Sequence, residues 1–433
     1  MALTQKTETI KYENGELQRL QLVRAESFDE INFFSPPFSA VAFERVCRLY
    51  EEFIVPRRPG VFGQLVLFRL PEGEEGRRAP QIFRKGLKII NGRPLFLSRE
   101  AGRLFGRLEE KGEVRIVRGS LPMTTVLPVG RSFGFLSEGE QDAAMKCNSS
   151  FFVMDRFDCF TTYDSIGTPI GLMVKEGETL NPPLFNREAF FVKKDGSVSV
   201  RLPEPGETSF EVDGRLFTPG VNAELFARPA FRKTPAGKGT ELIIAGSLIA
   251  DVKKAGGNPV PSSGFALRIR EKVNCAPGEK IIIRGFEEYK FAVQAGNSAV
   301  IEGKKTEGFI SSFYNIHNLW STSYPPSLYP LDYEKDRAPR MLLGADAQGR
   351  PMLAWLEGKG KFGYDFGRES CGASLKEAAD IAKELGMHNA VNLDGGGSAK
   401  ILLKNKRSLL ISDRIKETNL EAERAVPAGL IIN

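Results

Sequence analysis

Residues 189–218 read AFFVKKDGSVSVRLPEPGETSFEVDGRLFT, and this stretch sets the expectation for the fold. Two strand-like runs, 189–194 and 197–202, flank Asp195-Gly196, and two more, 210–212 and 215–218, flank Asp213-Gly214. Asp-Gly between such runs favours a tight hairpin, because both turn residues need a positive φ that glycine adopts freely and aspartate tolerates. Working outward, Asn91-Gly92 sits in the same way between 87–90 and 94–97. Further strand-like runs stand at 64–70, 113–117, 241–245, 266–269, 280–284, 341–343 and 351–355.

Helical spacing is rarer. Ala42, Val46, Leu49, Tyr50 and Phe53 share one helical face that Pro56 ends. Late in the chain Ser374 and Glu377 have the spacing of a capping box, and Leu375, Ala378, Ala379, Ala382 and Leu385 continue as an apolar face up to Gly386. Residues 71–80, dense in Glu, Gly and Arg, read as a solvated loop. The expected class is therefore α+β, a mixed, largely antiparallel sheet with a few helices, plus a smaller amino-terminal α+β module. The expected division is 1–135 and 136–433.

Composition bounds the rest. With 433 residues, 41% of them hydrophobic and 26% charged, the chain can fill two or three packed units, which excludes a disordered polymer. Its 44 glycines and 26 prolines disfavour a long helical bundle. The net charge of +6 comes with acids interleaved almost everywhere, so no nucleic-acid partner is expected. Arg57-Arg58 and Arg77-Arg78 read as solvated loops, a phosphate-bearing partner being the minority reading for each. Five cysteines without a CxxC pair read as thiols rather than disulfides, and two histidines leave no His-rich site, so neither a metal nor a cofactor is expected. The opening residues lack an apolar leader core and no uncharged run of about 18 apolar residues follows, so no membrane span is expected. The chain as written is expected in the cytoplasm, or outside the cell if a signal peptide has been removed. Residues 310–339 read as a long surface loop whose Tyr314, Trp320, Tyr324 and Tyr329 either line a sugar site or pin the loop to its own domain.

The chemistry-bearing residues converge near the carboxyl terminus. Residues 388–394 are apolar at alternate positions, which puts Asp394 at a strand end with Asn392 on the same face, ahead of Gly395, Gly396, Gly397 and Ser398. Three glycines let a ligand approach the main chain, whose N–H groups then form an anion-binding concavity; equally, they close a tight or bulged hairpin capped by Asp394. Asn392 and Asp394 on a buried face need defined partners, which favours the site. Arg340 and Arg424 each precede an apolar run and carry the forked donors that suit a phosphodiester, though either alone reads as a surface arginine. Asn148 reads as a turn former or an amide ligand.

Residues 392–398, Asn-Leu-Asp-Gly-Gly-Gly-Ser, resemble the signature of the phosphodiester glycosidase family. In the expected order, residues 148–152 resemble its Asn-Gly-Gly-Phe-Phe, 169–172 its Pro-x-Gly-Leu and 261–265 its Pro-Ser-x-Gly-Phe, with Ser149-Ser150 standing where the family has two glycines. Arg340, the helix from Gly372, and Arg424-Ala425-Val426 complete the set, so the resemblance covers 145–433. It implies a glycosidase-type hydrolase that cleaves the anomeric C–O bond of a sugar 1-phosphodiester, or a related glycan such as an exopolysaccharide, to free sugar and phosphomonoester. On that reading Asp394 and Glu377 are the catalytic carboxylates, Glu377 having its capping box as a competing role. Asn148, Arg340, Asn392, Gly395, Gly396, Gly397, Ser398 and Arg424 hold the substrate. The alternatives are a carbohydrate- or phosphate-binding protein without catalysis and a metal-dependent phosphoesterase.

Overall fold

The computed structural model describes residues 3–57, 63–154, 159, 161–185, 187–228, 230–307, 337–360, 364–415 and 417–433. The expected loop at 310–339 falls almost wholly outside them, with its four aromatics and His317. The chain is mostly β, 38% strand against 16% helix, and its strands lie in separate sheets of two to seven strands. This corrects the expected α+β class, amino-terminal module included. Tight turns close strands of a few residues onto their sequence neighbours, so successive hairpins build small sheets of their own. The turns at 91–92, 195–196 and 213–214 form as expected, with Asn91, Asp213 and all three glycines at positive φ.

The start of the chain is woven into its end. Thr4–Lys11 and Leu17–Arg24 extend a seven-stranded sheet through Pro351–Leu356, and Ile31–Phe34 pairs antiparallel with Gly429–Ile432. Sheets thus join strands from both sides of the expected 135/136 division. Between them, residues 64–129 keep a sheet and core of their own. There Gln64–Arg69 runs parallel to Thr124–Val129, with helices Gly73–Gly86 and Arg99–Glu110 packed through Phe68, Phe83 and Phe105.

Helix Gly73–Gly86 replaces the loop expected over 71–80. Its buried positions, Gly76, Ala79, Ile82, Phe83 and Gly86, follow the helical period, although glycines hide it from a hydropathy reading. Gly76 is required, because a Cβ there would fall on the Pro71 carbonyl. Helix Leu375–Glu384 forms with its capping box intact and lays Leu375, Ala378, Ala379, Ile381 and Ala382 on the seven-stranded sheet. All five cysteines are free thiols; Cys275 is half-buried and the others are buried. No helix among the described residues is long and apolar enough to cross a membrane.

Candidate functional site

The seven-stranded sheet sets Arg340–Ala345 between Pro351–Leu356 and Asn389–Asn392. Leu342 stands opposite Asn392 and Leu343 opposite Val391, and the Leu393 N–H continues the ladder to the Met341 carbonyl at 2.7 Å. Arg340 precedes Met341 on one strand and Asp394 follows Leu393 on the other, so the two stand at adjoining ends of the pair. Both side chains are withdrawn from water, Arg340 being 2% and Asp394 4% exposed. Arg340 Nε donates to the Ala373 carbonyl at 2.9 Å, and a guanidinium nitrogen lies 3.9 Å from where a Cβ on Gly395 would stand. A cation and a carboxylate from positions 54 residues apart thus flank the glycine loop.

A second sheet locks the loop from behind. Met145–Asn148 pairs with both Ile401–Leu403 and Gly429–Ile432, which delivers the buried Asn148 beneath residues 394–400. Its amide bridges the loop's two ends: Nδ2 donates to the Asp394 carbonyl at 2.5 Å and Oδ1 accepts from the Lys400 N–H at 3.1 Å. The Asp394 N–H in turn donates to the Ser149 carbonyl at 2.9 Å. Asn148 therefore serves as a fastener of the loop. Asn392 is buried and exchanges main-chain hydrogen bonds with Gly296 and Asn297.

The loop itself is a short 3-10 turn, Gly396–Ser398, with Gly396 at φ +57°. Gly396 donates its N–H to the Pro339 carbonyl, and Ser398 and Ala399 close the turn on Gly395 and Gly396. Of the expected concavity of amides, then, only the Gly395 and Gly397 N–H groups have no partner among the described residues. The Ser398 hydroxyl is buried, also without a partner there. Gly397 must be glycine, since a Cβ would fall on the Asp413 carboxylate.

Two expected residues are held by other groups. The fork of Arg424 grips Asp413, Nε to Oδ2 at 2.9 Å and Nη2 to Oδ1 at 3.1 Å, so it reaches the loop through that carboxylate. Glu377 accepts from Arg337 Nε at 3.1 Å and from the Ser374 N–H and hydroxyl at 2.9 Å each. Burial raises the Glu377 pKa, and the Arg337 and Ser374 hydrogen bonds outweigh it, holding the carboxyl below its ordinary range. Arg337 also pairs with Glu16. Ala338 exchanges hydrogen bonds with Ala373 on one edge of this segment, whereas the Pro339 carbonyl faces Gly396 on the other. Glu377 and the glycine loop thus attach to opposite edges of 337–340.

Several buried polar groups near the loop escape a sequence reading. Arg187 donates to Asn297 Oδ1 at 3.2 Å, both residues buried, and Gln294 holds the Arg187 carbonyl at 2.5 Å. Nothing in local sequence couples positions 110 residues apart. Lys400 is wholly buried two residues after Ser398, its amine donating to the Arg424 carbonyl at 2.8 Å and pairing with Glu423 at 3.2 Å. Burial pushes that amine down to about 8 from 10.5, against the attraction of Glu423. Because the unfolded lysine binds its proton more tightly, this group makes stability rise as pH climbs from about 8 to 10.5. Urea unfolding across that window should show the rise in the native protein and lose its Lys400 share in Lys400→Met; identical slopes would refute the assignment.

Among the described residues no group of three His, Cys, Asp or Glu is placed to hold a metal. A family model described as phosphodiester glycosidase matches residues 220–433, which include Arg340, Asn392, Asp394 and the glycine loop. No curated protein sequence matches the chain significantly. Similar solved structures include a hypothetical protein from Synechocystis, with 14% identity and TM-score 0.43 over 100% of this chain and 62% of that one. This chain thus spans less than two thirds of that neighbour's length. Another is the zebrafish N-acetylglucosamine-1-phosphodiester alpha-N-acetylglucosaminidase catalytic domain, auto-inhibited by its pro-peptide, with 9% identity and TM-score 0.41 over 100% of this chain and 83% of that one. Residues 220–433, just under half of the chain, are thus similar to the phosphodiester glycosidase family.

Proposed function

We propose that this protein hydrolyses a sugar 1-phosphodiester at the anomeric C–O bond, releasing free sugar and a phosphomonoester. The observation that carries the reading is that Arg340 and Asp394, both buried, flank the glycine loop inside the region the family model matches. In this reading the C1–O bond breaks with its electron pair passing to the phosphate oxygen. Water supplies the oxygen that bonds to C1, and its proton passes to Asp394 or to solvent. Asp394 offsets the positive charge of the oxocarbenium-like transition state, and it is worth most where water is excluded. The Arg340 guanidinium and the Gly395 and Gly397 N–H groups offset the charge growing on the departing phosphate.

A phosphomonoester is a weakly basic leaving group, so departure needs little help from a second acid. That agrees with a Glu377 whose oxygens are taken up by Arg337 and Ser374. We assign it to positioning the 337–340 segment, and Arg424, through Asp413, to bracing Gly397. Asn148 and Asn392 then hold the loop and the strand that present Asp394. Incubating the protein with sugar 1-phosphodiesters of different sugar and aglycone should yield sugar and phosphomonoester in equal amounts from at least one. Binding without release from any would contradict the reading.

A further inference from the structure

A cavity of about 460 Å³ opens between helix Gly73–Gly86 and the β body, within the size range of small-ligand sites. Neither Asp394, Arg340 nor the glycine loop lines it. The helix presents Arg77 and Arg84 to it, two turns apart on one face, and Arg131 faces in from the loop after Thr124–Val129. None of the three guanidinium groups makes a hydrogen bond or ion pair with the protein among the described residues. Arg84 lies over the Tyr163 ring, 5.3 Å from its centroid, while its Nε is buried without a partner. Ser263, 4% exposed, adds a buried hydroxyl also without a partner.

The one carboxylate in the lining makes no hydrogen bond or ion pair with them and attracts Arg84 only through space. Asp164 is committed to Thr161 and Ser262, accepting from their N–H groups at 2.6 and 2.7 Å and their hydroxyls at 3.0 and 3.1 Å. A folded protein rarely leaves a buried guanidinium donor and a buried hydroxyl unanswered on the wall of one cavity. Three forked cations gathered with an aromatic face are the complement of an anion carried on a sugar ring, the ring lying along the apolar wall.

We infer that this cavity is a second binding site, for an anionic saccharide whose phosphate or carboxylate is held by Arg77, Arg84 and Arg131. The inference is independent of the chemistry assigned to Asp394, and its test reads binding without turnover. Glucose 1-phosphate, glucuronate and neutral glucose are added separately, at equal concentration, to the full chain, and amide hydrogen exchange is followed peptide by peptide. Slowed exchange within 73–86 and 129–132 with either anionic sugar, and not with glucose, is expected; the stronger of the two identifies the anion. The double variant Arg77→Ala/Arg131→Ala changes two exposed side chains and so keeps the fold. It should weaken this binding at least about tenfold, as should Arg84→Met. Equal protection by glucose, protection confined to 389–400, or undiminished binding in both variants would overturn the inference.

Discussion

Replacing Asp394 by asparagine is expected to slow hydrolysis of a sugar 1-phosphodiester by at least about 100-fold in a protein that still folds. Asparagine keeps the shape of the side chain and removes its charge, and the main-chain bonds that fix position 394, to Ser149 and from Asn148, do not depend on the carboxylate. The loss should fall on kcat rather than KM, because the charge is needed where positive charge develops on the sugar and not in the ground state. A variant that binds substrate as before but turns it over at the native rate would remove Asp394 from the mechanism. One that fails to fold would instead assign the carboxylate to structure.

The largest expected effect on stability lies away from the site, in the sheet that contains Thr240–Ala245 and Gly264–Ile269. Glu241 is fully buried and accepts from Arg268 Nε at 2.9 Å and Nη2 at 2.7 Å, with Thr234, Gly256 and Asn258 completing its shell. Arg268 also reaches Glu224 at 2.9 Å and lies over the Phe226 ring. Removing the cation alone leaves a carboxylate in the interior without a counter-charge, so Arg268→Met should cost about 3–5 kcal/mol in urea unfolding at pH 7. Replacing both residues, Arg268→Met with Glu241→Leu, should recover much of that loss, because the desolvated charge goes too.

The same pair fixes the sign of a pH effect. Burial pushes the Glu241 carboxyl up, but the hydrogen bonds from Asn258, Thr234 and Arg268 outweigh it and hold it below the ordinary glutamate value. A depressed folded-state pKa contributes stability that is present above the unfolded pKa and lost as pH falls through the folded one. In Arg268→Met the carboxyl protonates sooner, so the gap between variant and native protein should narrow in acid. A gap that stays constant from pH 7 to pH 4 would show that lost packing, and not charge, accounts for it.

What the sequence discloses about this molecule is mostly local. The Asp-Gly and Asn-Gly turns name their own φ angles, and the Ser374–Glu377 capping box marks a helix start because both partners lie within one turn. The 392–398 stretch points to the site for a similar reason, since polar residues on a strand among apolar neighbours demand partners. What stays hidden is long-range. Ile31–Phe34 pairs with Gly429–Ile432 across nearly the whole chain, a partnership that no local pattern announces. Arg424 reads as a phosphate ligand until Asp413 is seen to occupy its fork. Helix Gly73–Gly86 is masked because two of its buried positions are glycines that a hydropathy pattern does not count. Lys400 is the extreme case: nothing about a lysine in sequence says that it lies wholly inside.

The site reading comes down to which bond breaks, and isotope-labelled water reports that directly. Hydrolysis of a sugar 1-phosphodiester in ¹⁸O-water, followed by mass spectrometry of both products, should place the label in the released sugar, because water attacks the anomeric carbon. Label in the phosphomonoester would mean attack at phosphorus, which no arrangement built on Asp394 as the partner of a sugar cation explains.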